Sequence, residues 1–482
     1  MEEGTKQAIP DPNRWLTLAV LLIGTLLPPL DFFIVNVALP AIRTDLQAPP
    51  AVSQLVVSVY AAAYAVTLIL GGRLGDIFGR KRAFISGMLG FCLASALCGL
   101  AASSTMLVIG RLFQGVTAAV MGPQSLATIH AIFPANEKNR ALGLYGATFG
   151  LAAVCGQLLG GVLVSANLLG LGWRSVFLIN IPIIILAVPA AFLLVRENRA
   201  ERSARLDISG AFLLAAGLLA LVVPLIEGRE NNWPWWCSGL MMLSVPTLYL
   251  FWRYEKKLEI AGGSPLVLPA LFKAKGLCRS LGAAFFFYAL ASFFLIFAVY
   301  EQSGLHHNTL TTGFAILPLG IGFFLGPWCS PQIAGRFGAR TAAFGIILEF
   351  VGLLVTAICA LADIPAWLPA PLFMIGLGQG IALPALVGLS VDQVDARYSG
   401  LAAGLVSATL QISAAVFVAL IGGLFFAYAP DGANACQVKV GFSIGVSAIG
   451  LSLSVAAILC WKSPSVSRSE STIYPVDLEL KK

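Results

Sequence analysis

The sequence predicts an all-α integral membrane protein whose fourteen spans form two six-helix bundles, with two further helices inserted between them. Three observations carry this. Of the 482 residues, 58% are hydrophobic and 11% charged, with a mean hydropathy of +0.87, whereas soluble domains carry about 25% charged residues. The apolar residues collect in stretches long enough to cross ~30 Å of hydrocarbon. The basic residues are segregated. Of the 30 Lys and Arg, only Arg43, Arg174, Arg229 and Lys439 fall on one side of the predicted membrane, and Arg111 lies inside it. Basic loops are retained inside the cell, so both termini are expected to be cytoplasmic. The formal charge of +7 therefore reflects membrane topology and not a nucleic-acid-binding face.

Residues 1–14 read as a cytoplasmic N-terminus and 15–195 as the N-terminal bundle. Residues 196–254 read as the two-helix insert with its flanking loop, and 255–279 as a cytoplasmic connection. Residues 280–461 then form the C-terminal bundle and 462–482 a cytoplasmic tail. The polar start leads straight into a full-length span, without the short apolar core and small-residue cleavage site of a signal peptide. The first span, Trp15 to Leu39, holds Pro28-Pro29 just before Asp31. Two residues without N–H donors predict a kink or loosened turn there. The second span, Ser53 to Leu70, delivers the chain to Gly71-Gly72-Arg73-Leu74-Gly75-Asp76-Ile77-Phe78-Gly79-Arg80-Lys81-Arg82, read as a basic, glycine-punctuated turn. Gly72, Gly75 and Gly79 are expected to let two helix ends approach closely.

The third span covers Ala83 to Ala102, the fourth Met106 to Ile129 with Arg111 inside it, the fifth Ala141 to Val164 and the sixth Val176 to Val195. The seventh opens at Asp207-Ile208-Ser209-Gly210 and ends near Ile226. An outer turn, Asn231 to Trp236, reads as an interfacial aromatic anchor, and the eighth span covers Ser238 to Trp252. Six more follow: Leu281–Tyr300, Thr311–Ile333, Thr341–Leu361, Trp367–Val391, Gly400–Tyr428 and Val440–Trp461. An internal repeat supports the two halves. Phe78-Gly79 recurs as Phe337-Gly338, and Gln114-Gly115 as Gln379-Gly380, as in repeat-built transporters. The charged positions do not repeat, because Gly376 stands where the first half has Arg111 and Gly335 where it has Asp76.

Asp31 is the first candidate for chemistry. A carboxylate inside a span costs ~2.5–3.5 kcal/mol on insertion scales and needs a polar partner. Asp31 lies about eight residues before the outer end of its span and Arg111 about five after the outer start of its own, so at ~1.5 Å per residue their depths agree within a turn. Such a pair is either a static ion pair or a gate that takes a proton from one side and releases it to the other. Glu349 lies mid-span among apolar neighbours without a counter-charge and is a second proton-carrying candidate. Gly146, Gly150, Ala153, Gly156 and Gly160 step along one face of the fifth span, suited to close helix packing. Tyr60, Tyr64 and Phe285-Phe286-Phe287-Tyr288 either line a greasy cavity or pack against neighbours and lipid, and His306-His307 reads as a solvated pair.

The nine cysteines show no C-x-x-C pair and no metal spacing with the three histidines, which leaves metal and redox work without a site. A disulfide between Cys237 and Cys436, near outer loops, stays open. No G-x-x-x-x-G-K-[ST], G-x-S-x-G or H-E-x-x-H occurs, and Gly376-Leu377-Gly378-Gln379-Gly380 lies in an apolar helix and not after a strand. No cofactor is expected, and uphill work would draw on an ion gradient. A membrane-embedded transferase would need a His/Asp cluster at one interface, and none is visible.

Gly72-x-Leu74-x-Asp76-x-x-Gly79-Arg80-Lys81 resembles the loop signature of the major facilitator superfamily, with Ile77 departing from it. Leu30-Asp31-Phe32-Phe33-Ile34-Val35-Asn36-Val37-Ala38-Leu39-Pro40 resembles the first-helix motif of its fourteen-spanner drug:proton antiporters. Arg111-x-x-Gln114-Gly115 and Trp173-Arg174-Ser175-Val176-Phe177-Leu178-Ile179-Asn180-Ile181-Pro182 resemble motifs of the fourth and sixth spans. Gly156-Gln157-Leu158-Leu159-Gly160-Gly161 keeps the glycines of the antiporter motif but has Gln157 in place of proline. The resemblance implies the major facilitator fold and a multi-pass exporter of the bacterial inner membrane. Its implied cargo is lipophilic, often cationic, toxic compounds, exchanged for protons. Export of an endogenous metabolite or self-made antibiotic is the alternative. It implies a proton and substrate site at Asp31 and Arg111 with Gln114 nearby. Tyr60, Gln157, Tyr288 and Gln379 are further candidate contacts. The turn with Asp76, Arg80 and Lys81 would act as a latch, Asp76 sitting against the helix that starts near Ser399. Lipids, and accessory periplasmic proteins, are the implied partners.

Overall fold

The computed structural model describes residues 12–197, 207–230, 233–263, 265–394, 399–430 and 432–462, and among them every regular element is helical. The first half contains α1 (Arg14–Asp45), α2 (Pro50–Phe78), α3 (Arg80–Gly99), α4 (Ser104–Ile132), α5 (Ala135–Ala166) and the short α6 (Ser175–Leu178) running into α7 (Asn180–Leu194). The inserted pair is α8 (Ile208–Glu230) and α9 (Trp235–Ile260). The second half contains α10 (Lys275–Phe287), α11 (Ala291–Val299), α12 (Thr309–Ala315), α13 (Leu317–Phe337), α14 (Thr341–Leu361), α15 (Pro369–Val391), α16 (Ser399–Tyr428) and α17 (Ala435–Trp461). Among the described residues, eleven helical stretches are long and apolar enough to cross a membrane, and one of these, Thr309–Leu361, is folded back on itself at Gly338–Arg340.

The expected spans and the observed helices differ in instructive places. The basic turn is a single residue. α2 runs on to Phe78, Gly79 breaks the chain at φ +101°, and α3 starts at Arg80. Only glycine adopts that φ without strain. Pro28 and Pro29 do not interrupt α1, which is assigned helical throughout. The breaks fall in the second half instead. The ninth span changes to a 3₁₀ turn at Tyr288–Leu290 between α10 and α11 and ends in a π-turn at Tyr300–Gly304. The tenth is split between α12 and α13, with Pro318 at the start of α13, where the ring needs no N–H partner.

Lipid tails give no hydrophobic drive for helix association, so contact depends on backbones coming close. The repeat is visible here. A Cβ on Gly115 of α4 would lie 2.5 Å from the Tyr60 carbonyl of α2, and one on Gly380 of α15 would lie 2.6 Å from the Phe323 carbonyl of α13. The second and fourth helices of each half are thus fastened at equivalent glycines. In the basic segment the expectation needs correcting. A Cβ on Gly71 would fall 2.0 Å from the Ala119 carbonyl and one on Gly75 1.9 Å from Gln124, whereas a Cβ on Gly72 would find only Pro123 at 3.8 Å. Nor does the α5 stripe serve one neighbour. Gly156 and Gly160 meet α1, Gly150 and Gly161 meet the second half at Phe324 and Thr309, and Gly146 has nothing within 4 Å.

The halves meet along three seams: α1 against α11 and α12, α5 against α12 and α13, and α2 against α16. α8 packs on both α2 and α16, so the inserted pair lies over that last seam. The cations of the basic segment mostly stay within their own half. Arg80 donates to the Ala127 carbonyl (3.0 Å), and Lys81 to the Phe192 carbonyl (2.7 Å). Arg73 reaches out of it, to the Pro265 carbonyl (3.0 Å). The side chains of Asp76, His130 and Ser399 lie outside the described residues, and so does Asn231-Asn232 of the aromatic turn. Two further corrections follow. No disulfide joins Cys237 and Cys436, the first of which is buried and the second exposed. His307 is not merely solvated, since its Nδ1 lies 2.8 Å from Glu301 Oε2.

The glycine contacts can be tested. A Cβ at Gly376 would fall 1.8 Å from the Leu319 carbonyl, whereas one at Gly388 of the same helix would meet nothing within 4 Å. Gly376→Ala is therefore expected to destabilise by about 1–3 kcal/mol and to lower the melting temperature of the purified protein. Gly388→Ala should leave it unchanged.

Candidate functional site

Five helices of the first half converge on Asp31. Arg111 and Gln114 are three residues apart on α4 and share a face. Ser95 comes from α3 and Asn180 from the first turn of α7. Asp31, Arg111 and Gln114 have no solvent exposure, and Asn180 is 1% exposed. Arg111 Nη1 donates to Asp31 Oδ2 in a buried ion pair. The other carboxylate oxygen, Oδ1, accepts from Gln114 Nε2 (3.0 Å) and Asn180 Nδ2 (3.0 Å). Three donors nearly fill the acceptor capacity of one carboxylate.

The donors are themselves fixed. Gln114 Nε2 also donates to Ser95 Oγ (2.9 Å), while its Oε1 accepts from Arg111 Nη1 (2.9 Å) and the Cys98 thiol (3.3 Å). Arg111 Nε donates to the Val56 carbonyl of α2 (2.8 Å). Its guanidinium carbon sits 4.1 Å from the Tyr60 ring centroid, a cation–π contact in a dry setting. The Tyr60 hydroxyl donates to the Pro28 carbonyl (2.9 Å), tying α2 to the proline pair beside Asp31. Two polar groups inside this knot, Arg111 Nη2 and Asn180 Oδ1, have no hydrogen-bond partner. The knot is thus close to satisfied but not locked.

α1 also faces the other half. Phe33, two residues after Asp31, makes an edge-to-face contact with Phe294 of α11 at 4.6 Å, and Gln302 Nε2 donates to the Val37 carbonyl (3.2 Å). Nearby, Tyr64, Tyr145 and Tyr288 are half-buried, and Tyr288 lies within electrostatic reach of Tyr60 and Tyr64. The 3₁₀ break of the ninth span thus brings a phenol from the second half towards those of α2. At the end of the molecule opposite the basic segment, a cleft of about 710 Å³ separates the halves, lined by Leu39, Arg43 and Ser53 on one side and Val299 and Phe426 on the other.

The sequence-predicted residues therefore divide. Asp31, Arg111, Gln114 and Tyr60 form one assembly. Glu349 is fully buried in α14, with neither carboxyl oxygen hydrogen-bonded, and α15 backs onto it at Gly378. Gln379 is buried in α15 with its Oε1 unpartnered, and Gln157 is buried in α5 with its Nε2 unpartnered. None of these three hydrogen-bonds to the Asp31 assembly. Asn180 and Ser95 were not singled out by the sequence reading. Asn180 lay in a quoted motif, and its position after a helix break, on an apolar helix, was the available signal. Among the described residues no group of His, Cys, Asp and Glu is arranged to hold a metal ion.

A buried acid–base pair inside a helical half, facing a second half of the same design, is the layout of a known transporter class. A family model described as Major Facilitator Superfamily matches residues 21–418. The chain belongs to the major facilitator superfamily. Among curated relatives of this facilitator, a probable actinorhodin transporter of Streptomyces coelicolor is 36% identical over 423 residues, covering 86% of this chain and 73% of the relative. A puromycin resistance protein of Streptomyces alboniger is 34% identical over 480 residues, covering 94% and 92%. A methylenomycin A resistance protein of Bacillus subtilis is 30% identical over 456 residues, covering 92% and 93%. Among solved structures, an auto-inhibited POT family peptide transporter superposes with a TM-score of 0.65 at 15% identity, covering 94% of this chain and 98% of that one. The human organic anion transporter MFSD10 gives 0.61 at 15%, covering 92% and 100%. These last likenesses bear on the fold alone. The facilitator is a multi-pass membrane transporter of small molecules.

The ion pair makes a sharp stability prediction. Arg111→Met leaves Asp31 buried without its counter-ion and should destabilise the facilitator by about 3–5 kcal/mol. Adding Asp31→Asn to that variant should recover most of the loss. A double-mutant cycle of melting temperatures on detergent-purified protein reads both.

Proposed function

We propose that this facilitator is a proton-coupled antiporter that exports lipophilic toxic compounds of the drug and antibiotic kind across the bacterial inner membrane. It would do so with fourteen spans, α2 and α9 included, and with both termini cytoplasmic. The observation that carries the reading is the position of Asp31. Its three hydrogen-bond donors all belong to the first half, while its own helix, through Phe33 and Val37, touches the second. Protonation of Asp31 would cancel the charge that holds Arg111 and weaken the hydrogen bonds from its two amide donors. Arg111, with Nη2 still unpartnered and Tyr60 stacked on it, would then settle differently. The change would reach the inter-half seam through α1, whose acid lies two positions before Phe33 and six before Val37. That is a two-state element biased by one proton, which alternating access requires.

Tyr60, Tyr64 and Tyr288, shared between the halves, would offer cargo flat apolar faces and hydroxyls. Gln157 and Gln379 are candidate polar contacts in other conformations, and Glu349 is proposed as a second proton site. The names of the relatives, among them a tetracenomycin C resistance and export protein of Streptomyces glaucescens, support export of antibiotics. Such names also favour the second reading, export of a self-made product by the same machinery.

Drug-dependent proton movement into liposomes containing the purified chain tests the proposal. Asp31→Asn leaves Arg111 without its counter-ion and should lower the melting temperature; compared at equal amounts of folded protein, it should lose proton-coupled export by about 100-fold or more, as expected when an essential proton carrier is removed. Export by that variant at the wild-type rate would end the proposal. Cells of a pump-deficient host, exposed in parallel to dyes and to aromatic antibiotics, would separate the two cargo readings.

A further inference from the structure

The inserted helices carry a second buried acid site that the transport reading does not use. The apolar part of α9 ends at Trp252, and Glu255 lies just beyond it, in the charged final turns. Glu255 has no solvent exposure, and Asp207, immediately before α8, is 6% exposed. Asp207 Oδ1 accepts from the Gly210 N–H (2.8 Å) and so opens α8, while Glu255 Oε2 accepts from the Val267 N–H (2.8 Å). The remaining oxygens, Asp207 Oδ2 and Glu255 Oε1, have no donor. They converge, since a Cβ on Gly210 would lie 2.3 Å from each. Two acceptors cannot face each other across so short a gap with nothing between them.

We propose that Asp207 and Glu255 share one proton, and that this proton fastens α8, α9 and the 265–273 connection together as a pH-sensitive clasp at the basic end of the transporter. With the proton present, one carboxyl donates to the other and every buried oxygen is satisfied. Without it, two carboxylates repel in a site that excludes water, and Val267 and the chain around it lose their anchor. Burial, reinforced by Asp207, pushes the Glu255 carboxyl up to about 8, although the Val267 N–H opposes the shift. Among the described residues, the other groups facing the pair do not neutralise it. Tyr254 on α9 lies beside Ser209 and Asp207 and is a neutral phenol. Glu259, a turn further on, accepts from the Ala270 N–H (3.2 Å). Arg253, Lys256 and Lys257 line a separate surface with Tyr249 and Trp252. From α2, Arg73 donates to the Pro265 carbonyl. The connection held by Glu255 is therefore also held by the basic segment, and releasing the clasp would loosen that link too.

The sign follows from linkage. The folded clasp keeps a proton that an opened one gives up above the ordinary carboxylate range. Opening therefore becomes easier as pH rises through that range towards about 8, and the dependence flattens above it. Hydrogen exchange of the detergent-purified full chain reads this directly. Between about pH 6 and about pH 8, amides of 265–273 should exchange about ten-fold faster than the intrinsic pH effect accounts for. Glu255→Gln, which keeps an acceptor for Val267 and gives a permanent donor to Asp207, should abolish that excess. An infrared difference spectrum between wild type and Glu255→Gln should show one protonated carboxyl band that fades as pH passes about 8. Equal exchange profiles for the two proteins, or a difference spectrum without such a band, would overturn the clasp. If Glu255→Gln failed to fold, the pH-dependent band in the wild type alone would decide: its loss near pH 8 supports the clasp, and its absence refutes it. None of these readouts needs export activity, so the clasp and the antiport proposal fail separately.

Discussion

A charged pair without water is the constraint around which this transporter is built. Asp31 and Arg111 are both fully buried, and neither charge is tolerable there alone. Their demands explain an otherwise scattered set of polar residues. Gln114 bridges the two, Asn180 and Ser95 complete the carboxylate end, the Val56 carbonyl takes the Arg111 Nε–H, and Tyr60 covers the guanidinium face. They come from α2, α3, α4 and α7, so the pair also fixes how these helices and α1 sit together. A polar network of this kind is stable only while nearly every member is satisfied. Two unpartnered groups beside the pair mark where it could rearrange.

Around that knot the architecture is held by close backbone approach. Gly115 and Gly380 do the same work at equivalent places in the two halves, and Gly322, Gly326 and Gly376 bring α13 and α15 together with almost no side chain between them. The symmetry is one of packing and not of charge. The second half carries Gly376 where the first has Arg111, and its buried acid, Glu349, sits on a different helix with no partner at all. One half therefore holds the Asp31–Arg111 pair, and the other supplies a matching bundle packed against it. The inserted α8 and α9 lie over the seam between α2 and α16 and bring their own pair of acids to the basic end.

Much of this was legible in the chain. Apolar stretches and segregated basic residues give the spans, because a bilayer leaves no other solution for the backbone. The Asp31–Arg111 pairing could be anticipated from depth alone, since helix rise is constant. The repeat could be read from two dipeptides. What stayed hidden depended on rotation and on neighbours. Asn180 looked like part of a motif, but only α7's orientation points its amide at Asp31. Gly72 looked like a close-contact glycine, yet a Cβ there would meet Pro123 only at ordinary van der Waals distance, and it is Gly71 that the helix brings tightly against α4. The α5 stripe looked like one face and proved to serve two neighbours.

By itself the sequence determined the class of protein, its membrane segments, its two-fold design and the identity of its central charges. Each of these follows from local composition or from fixed helical geometry. Only the tertiary structure decided that Asp31 is enclosed by its own half, that Arg80 and Lys81 bind within that half while Arg73 reaches beyond it, and that Asp207 and Glu255 meet. Such meetings depend on how helices distant in sequence are turned and offset against one another. Periodicity constrains a helix's faces but not which neighbour each face will find.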